Sequence, residues 1–236
     1  MDASSPLPSC RRSLSADPDR AGQAREVPAP TLALHLVRAA ELDFREANRT
    51  DALPWSPEGL AGRVVELSGT AGAPCLSLAC SVLRRAQEKG DYAVWVSARE
   101  DSFYPPDLAA AGVDLRELPV VRLSDGPSAG RAADWLLRTG AFSLIVLDLG
   151  RDLALSPGLQ GRLAQLARRQ DAAVLILTEK GRETPSLSSL VAVRAEAVRE
   201  WSPKGGFRCG ILFLKNKRRA PGGGYEEACV GPPGLR

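Results

Sequence analysis

Five short, almost wholly apolar runs alternate with amphipathic segments between residues 63 and 178, and this alternation constrains the fold most strongly. The runs are RVVELS (63–68), YAVWVS (92–97), VVRL (120–123), SLIVLD (143–148) and AVLILT (173–178). Each has strand length and is rich in Val, Leu or Ile. Between them the spacing predicts helices at 75–89, 105–111, 128–139 and 157–170. In the last of these, Ser156 is placed to cap, Pro157 fits the first turn, and Leu159, Leu163 and Leu166 share a face. Strands apolar along their whole length need cover on both faces, and the intervening helices supply it. The expected class is therefore α/β, a mostly parallel sheet flanked by helices.

Beyond about Leu190 the helical segments stop. SLVAVRAEAVRE, FRCGILFLKN and GYEEACV follow, separated by Gly and Pro, and predict an antiparallel extension at one sheet edge. Upstream, residues 1–30 are rich in Ser, Pro, Asp and Arg without apolar periodicity and are expected to be a disordered tail. TLALHLVRAAELDFREAN (31–48) has helical spacing at Leu32, Leu36, Ala40 and Phe44. Pro54 and Pro57 then break it into a linker. The expected organisation is a tail (1–30), a helix and linker (31–57), a core domain (58–231) and a short C-terminal tail (232–236).

Composition enters mainly by exclusion. A net charge of +3 gives no general attraction to nucleic acid or membrane. No run of about 18 apolar residues is present, and the N-terminal stretch lacks the apolar core of a secretory signal. A cytoplasmic protein is expected. His35 is the only histidine, which gives a His-rich metal site or a Ser-His-Asp triad little support. The five cysteines include no C-x-x-C pair and are read as thiols. Among the tryptophans, Trp55 and Trp201 are candidate interface anchors, whereas Trp95 and Trp135 lie in apolar runs and are assigned to the core.

One stretch carries a chemical question. SGTAGAPCLSLACSVLRRAQEKG (68–90) has the strand, glycine, short loop and helix of a phosphate-binding loop. Such a loop reads G-x-x-x-x-G-K-[ST]: loop amides cradle phosphates, the lysine reaches the terminal phosphates, and the hydroxyl holds magnesium. In direct register from Gly69, through Gly72, the second glycine is Pro74, the lysine is Cys75 and the hydroxyl residue is Leu76. Amide, cation and metal hydroxyl are lost together, so no nucleotide cofactor is expected. Asp148, ending an apolar strand, stands where a magnesium-organising carboxylate would. Without a working loop the stronger reading is a cap of the strand end or of the following turn.

Several of these stretches, taken in order, resemble the RecA recombinase core over about residues 58–231. GLAGRVVELSG is similar to that family's lead-in strand and AQEKGDYAVWVSARED to its next strand and acidic turn. AAAGVDLREL, LRTGAFSLIVLDL and LFLKNKRRAPGGGYEEACVGPPG follow in family order. Against that pattern, Arg99 stands at the catalytic glutamate, with Glu100 one position late, and Lys180 stands at the polar sensor. GRDLALSPGL and GRETPSLSS are much shorter than the family's DNA-binding loops. Lys215 and Lys217 keep a Lys-Asn-Lys motif, whose lysines in the family reach a neighbouring subunit's ATP. They can equally be charges that protect an edge strand.

A RecA-like core of this length with degenerate sites resembles the ImuA group, accessory proteins of DNA-damage-inducible mutagenesis cassettes. That resemblance implies a non-enzymatic adaptor in SOS translesion synthesis. Its implied partners are an ImuB-type polymerase homologue, RecA and an error-prone replicative polymerase complex, with weak or no direct nucleic-acid binding, no membrane, and self-association left open. The helix at 31–48 would dock through Leu32, Leu36 and Phe44, and Lys215 and Lys217 would form a second contact. The alternatives are a recombination mediator acting on RecA filaments or single-stranded DNA, and an SOS-type cell-division inhibitor.

Overall fold

The structure, a computed structural model, describes residues 55–99, 103–151, 155–201, 207–217 and 224–229. The expected helix at 31–48, with Leu32, Leu36 and Phe44, lies outside the described residues, as do Glu100 and the side chain of Trp201. The described residues belong to one unit, Arg38–Arg236.

A short helix, α1 (Pro57–Leu60), leads into β1 (Val64–Gly69), α2 (Cys75–Glu88), β2 (Ala93–Ser97) and α3 (Pro105–Ala110). Next come β3 (Val120–Arg122), α4 (Gly126–Thr139), β4 (Leu144–Gly150), α5 (Pro157–Gln170) and β5 (Ala173–Glu179). The chain closes with β6 (Val193–Trp201), β7 (Phe207–Asn216) and β8 (Gly224–Cys229). All eight strands form one sheet in the order β3-β2-β4-β5-β1-β6-β7-β8. Pairing is parallel from β3 through β6 and antiparallel in β6-β7-β8. The edge extension is thus built as expected, with β6 as the pivot: it pairs parallel to β1 and antiparallel to β7.

Alternation along β1 sorts the core into two layers. Val65 and Leu67 face α2 through Leu78, Val82 and Leu83, and this layer continues to Ile211 and Phe213 of β7. Val64 faces the other way, toward Ala133 and Leu137 of α4 and Leu159 and Leu163 of α5. The helix ends follow from local chemistry. Ser156 accepts from the Leu159 N–H at 3.3 Å, and Pro157 opens α5. Helix α4 begins at Gly126, two residues before its expected start, because the Asp125 carboxylate accepts from the Ser128 N–H at 2.7 Å. That bond holds the Asp125 carboxyl below its ordinary range. Among the described residues no helix is long and apolar enough to cross a membrane.

Three tryptophans test the reading of burial. Trp95 is in the core, edge-on to Phe103 with ring centroids 5.5 Å apart. Trp135, also expected there, is 74% exposed. Ala129, Ala133 and Leu137 fix the inward face of α4, and Trp135 projects from the opposite side. Trp55, expected as a surface anchor, is 0% exposed. Its indole N–H donates to the Leu78 carbonyl at 3.1 Å, and Arg85 Nη1 donates to the Trp55 carbonyl at 2.6 Å. The two hydrogen bonds fasten the chain entry onto α2.

Candidate functional site

The degenerate loop lies at the carboxyl ends of the parallel strands, where open α/β sheets bind ligands. Its own groups turn inward. The Ala73 N–H donates to the Thr70 carbonyl (2.9 Å), the Cys75 N–H to the Ala73 carbonyl (2.9 Å) and the Leu78 N–H to the Pro74 carbonyl (3.0 Å). Pro74, at the cap position of α2, has no N–H, and no side chain caps the helix. Gly72 takes φ +81° and makes the turn.

Side chains of the loop crowd Gly69. A methyl group added at Gly69 would collide with the Ala73 methyl and would lie 2.9 Å from Cys75 Sγ. Burial pushes the Cys75 thiol up to about 12, and the nearby Asp148 carboxylate adds to the shift. A neutral thiol therefore occupies the place of the cation. Leu76 is 42% exposed and offers no metal ligand. Asp148 is buried, level with Ser97 of β2 and Leu177 of β5. These residues do not fit a magnesium-bound triphosphate: the Ala73 and Cys75 amides are bonded within the loop, Pro74 offers none, and neither the lysine nor the metal-binding hydroxyl is present.

Beside the loop, the ends of β2, β4 and β5 carry a mixed charge cluster. Glu179 is bonded by Arg151, with Nε and Nη2 at 2.9 and 2.5 Å from Oε1, and Arg99 Nη1 lies 3.9 Å from Oε2. Gly150 has φ +56°, and the Arg99 side chain packs so closely on it that a methyl group there would strike Arg99 Cδ. The arginine standing in for a catalytic acid is thus seated against β4.

The helix-covered face beneath holds a second, buried constellation. Glu66, in the middle of β1, is fully buried and accepts four contacts. Lys180 Nζ is 2.5 Å and Thr178 Oγ1 3.2 Å from Oε1, while Ser186 Oγ and the Leu187 N–H are 2.9 and 3.0 Å from Oε2. Lys180 also donates to the Pro185 carbonyl at 2.6 Å. Arg194 Nη2 donates to the carbonyls of Gly181 and Arg182 at 3.0 and 3.3 Å. The 180–187 segment is tied to the sheet from both ends.

Lys215 joins this anchored segment and does not approach the degenerate loop. Its Nζ points to the carbonyls of Ser188 and Ser189, at 3.5 and 3.4 Å. Burial, then the Lys217 charge, lowers its pKa. By register Lys215 opposes Arg194, which opposes Glu66. Gly69 is three residues further along β1, roughly 10 Å along the sheet and two strands across. Lys217 is exposed beyond the end of β7. Gly69, Cys75 and Asp148 therefore lie close together, with Gly72 and Pro74 in the loop and Leu76 in the first turn of α2, while Lys215 and Lys217 stand apart.

Sequence comparison agrees with this architecture. The chain is 30% identical to the RecA protein of Clostridium acetobutylicum over 167 residues, 69% of this chain and 44% of that protein. It is 31% identical to RecA of Thermus aquaticus over 175 residues, 69% of this chain and 45% of that protein. The chain has a RecA-like fold. A shorter match, 37% over 87 residues, links it to RecA of Bifidobacterium breve, covering 37% of this chain and 22% of that one. The chain spans less than half the length of these curated relatives, and no protein-family model matches it.

Within this RecA-like fold the buried Glu66–Lys180 pair was not anticipated, nor was the arginine clasp on Glu179. A signal for the first exists in RVVELS. A glutamate inside a run buried on both faces needs a buried cation or several donors. Lys180, read as a replaced sensor at the nucleotide site, is that cation.

Proposed function

We propose that the protein is a non-catalytic RecA-like adaptor in DNA-damage-induced translesion synthesis. In this reading it docks on an ImuB-type polymerase homologue, on RecA, or on both, within a complex that includes an error-prone replicative polymerase. The carrying observation is the degenerate loop: Ala73 and Cys75 crowd Gly69, and a neutral thiol stands where the cation would be. A fold that keeps its sheet and helices but lacks a usable nucleotide pocket is suited to presenting surfaces. The short 181–189 segment, tied down by Glu66 and Arg194, supports the same reading because it is not free to reach for DNA. Lys217 remains exposed for a partner, whereas Lys215 is drawn partly into its own chain.

Titration calorimetry with Mg-ATP tests the carrying point. No saturable heat is expected up to millimolar nucleotide, and a micromolar isotherm would restore an ATPase reading. Affinity capture from DNA-damaged cells tests the role: a polymerase homologue or RecA should be retained by the full chain and lost from a chain lacking residues 31–48.

A further inference from the structure

Helices α4 and α5 lie side by side over the Val64 face of the sheet, bridged by Asp134. Its carboxylate is 3.0 Å from Arg138 Nε and 3.3 Å from Arg162 Nε. Asp134 is buried and is the only acidic residue in either helix, against five arginines: Arg131, Arg138, Arg162, Arg168 and Arg169. With the cap residues Asp125 and Asp171 counted, the pair carries net +2. The helix on the other face differs: Arg84 of α2 is paired with Glu88, and Arg85 is bonded to the Trp55 carbonyl and to Tyr225. Arginine is thus concentrated on the α4–α5 layer. From its middle projects Trp135, 74% exposed and the most exposed large apolar side chain among the described residues. Arg131 precedes it by four residues and Arg138 follows by three, so both flank it on the helix surface.

We propose that the α4–α5 face is a docking site for an acidic protein segment carrying one apolar anchor, the anchor seating on Trp135 and the carboxylates on the surrounding arginines. Trp and Arg are the residue types that dominate binding hot spots, and guanidinium groups engage carboxylates in paired hydrogen bonds. Single-stranded nucleic acid fits less well. Such sites stack successive bases on several aromatic rings, and Trp135 is the only aromatic residue of the two helices. The proposal rests on the adaptor reading for its place in the cell, while the binding itself is measurable alone.

The test uses the full chain at about 150 mM salt, where weak non-specific charge contacts are screened. The probe is a fluorescein-labelled 12-residue peptide of glutamates with one central leucine. A second peptide replaces the leucine with serine, and a labelled 12-nucleotide oligo(dT) serves as the nucleic-acid probe. The leucine peptide should bind about tenfold more tightly than the serine peptide. Trp135→Ala should abolish that difference, and Arg131→Glu with Arg169→Glu should weaken both peptides about tenfold or more. These positions are on the surface, and an unchanged Tm verifies that each variant is folded. Equal binding by wild type and variants, or no peptide binding at millimolar concentration, overturns the proposal. Tighter binding of oligo(dT) that depends on Trp135 overturns it in favour of a nucleic-acid surface. If the peptide binds but no polymerase homologue or RecA is captured, the adaptor reading fails and the surface stands. If partners are captured equally by Trp135→Ala and wild type, and no peptide binds, the surface alone fails.

Discussion

Replacing Glu66 with alanine should destabilise the fold by about 3–5 kcal/mol and lower Tm by roughly 10 °C. The cost does not come chiefly from the lost attraction. Removing the carboxylate leaves the Lys180 ammonium buried without its anion and strands the Thr178 and Ser186 hydroxyls and the Leu187 N–H. A buried pair is itself weak evidence of net stabilisation, since both ions lose their hydration. The sharper comparison is therefore the double variant Glu66→Leu with Lys180→Met, which removes both charges. It should regain at least half of what Glu66→Ala loses. Urea and thermal unfolding followed by circular dichroism measure both. A single variant within about 1 kcal/mol of wild type would mean that the pair is hydrated and that the segment is held by something else. Because Glu66 anchors residues 180–187, the same variant should also open that segment, read as faster amide exchange at residues 181–189.

The strands were legible because burial on both faces demands unbroken apolar runs. The observed β1, β2, β4 and β5 each lie within one or two residues of RVVELS, YAVWVS, SLIVLD and AVLILT. What composition of a run does not reveal is the rotation of a helix about its axis. AADWLLRT offers three adjacent apolar residues, and only the phase set by Ala129, Ala133 and Leu137 turns Trp135 outward. Trp55 failed in the opposite sense. Beside two prolines it reads as linker, yet Ser56 accepts from the Gly59 N–H at 3.1 Å and starts α1, and the core begins there. At the nucleotide loop, the missing groups were legible, but that Ala73 and Cys75 would crowd Gly69 depends on three-dimensional closure of the loop. Lys215 shows the limit of motif reasoning. A strand places Lys215 and Lys217 two residues apart, but the register of β6 and β7 decides that Lys215 meets the 188–189 carbonyls.

Alkylation of Cys75 in the folded protein at pH 8 should be roughly a thousandfold slower than in the unfolded chain. The thiolate is the reacting species. An ordinary thiol with pKa 9.0 is about a tenth ionised at that pH, whereas burial and the Asp148 carboxylate hold Cys75 at about 12. The measurement is peptide-resolved iodoacetamide labelling by mass spectrometry, with urea-unfolded protein as reference. Cys80 should be slow as well, pushed to about 12 by burial and then by Asp107, so Cys75 must be read on its own peptide. The sign of the pH dependence is fixed by the same shifts. Between pH 9 and about 12 the unfolded chain has lost protons that the folded thiols still hold, so stability falls as pH rises across that window. Cys75 labelling within tenfold of the unfolded rate would mean that the thiol faces solvent and that the loop stands open over Gly69. The space for a phosphate would then exist after all. The adaptor reading would lose the observation that carries it, since an open cradle beside Asp148 could be completed by a cation from a neighbouring molecule. Slow labelling together with absent ATP heat fits a closed loop, in which the residue standing for the lysine is a half-buried, uncharged packing group.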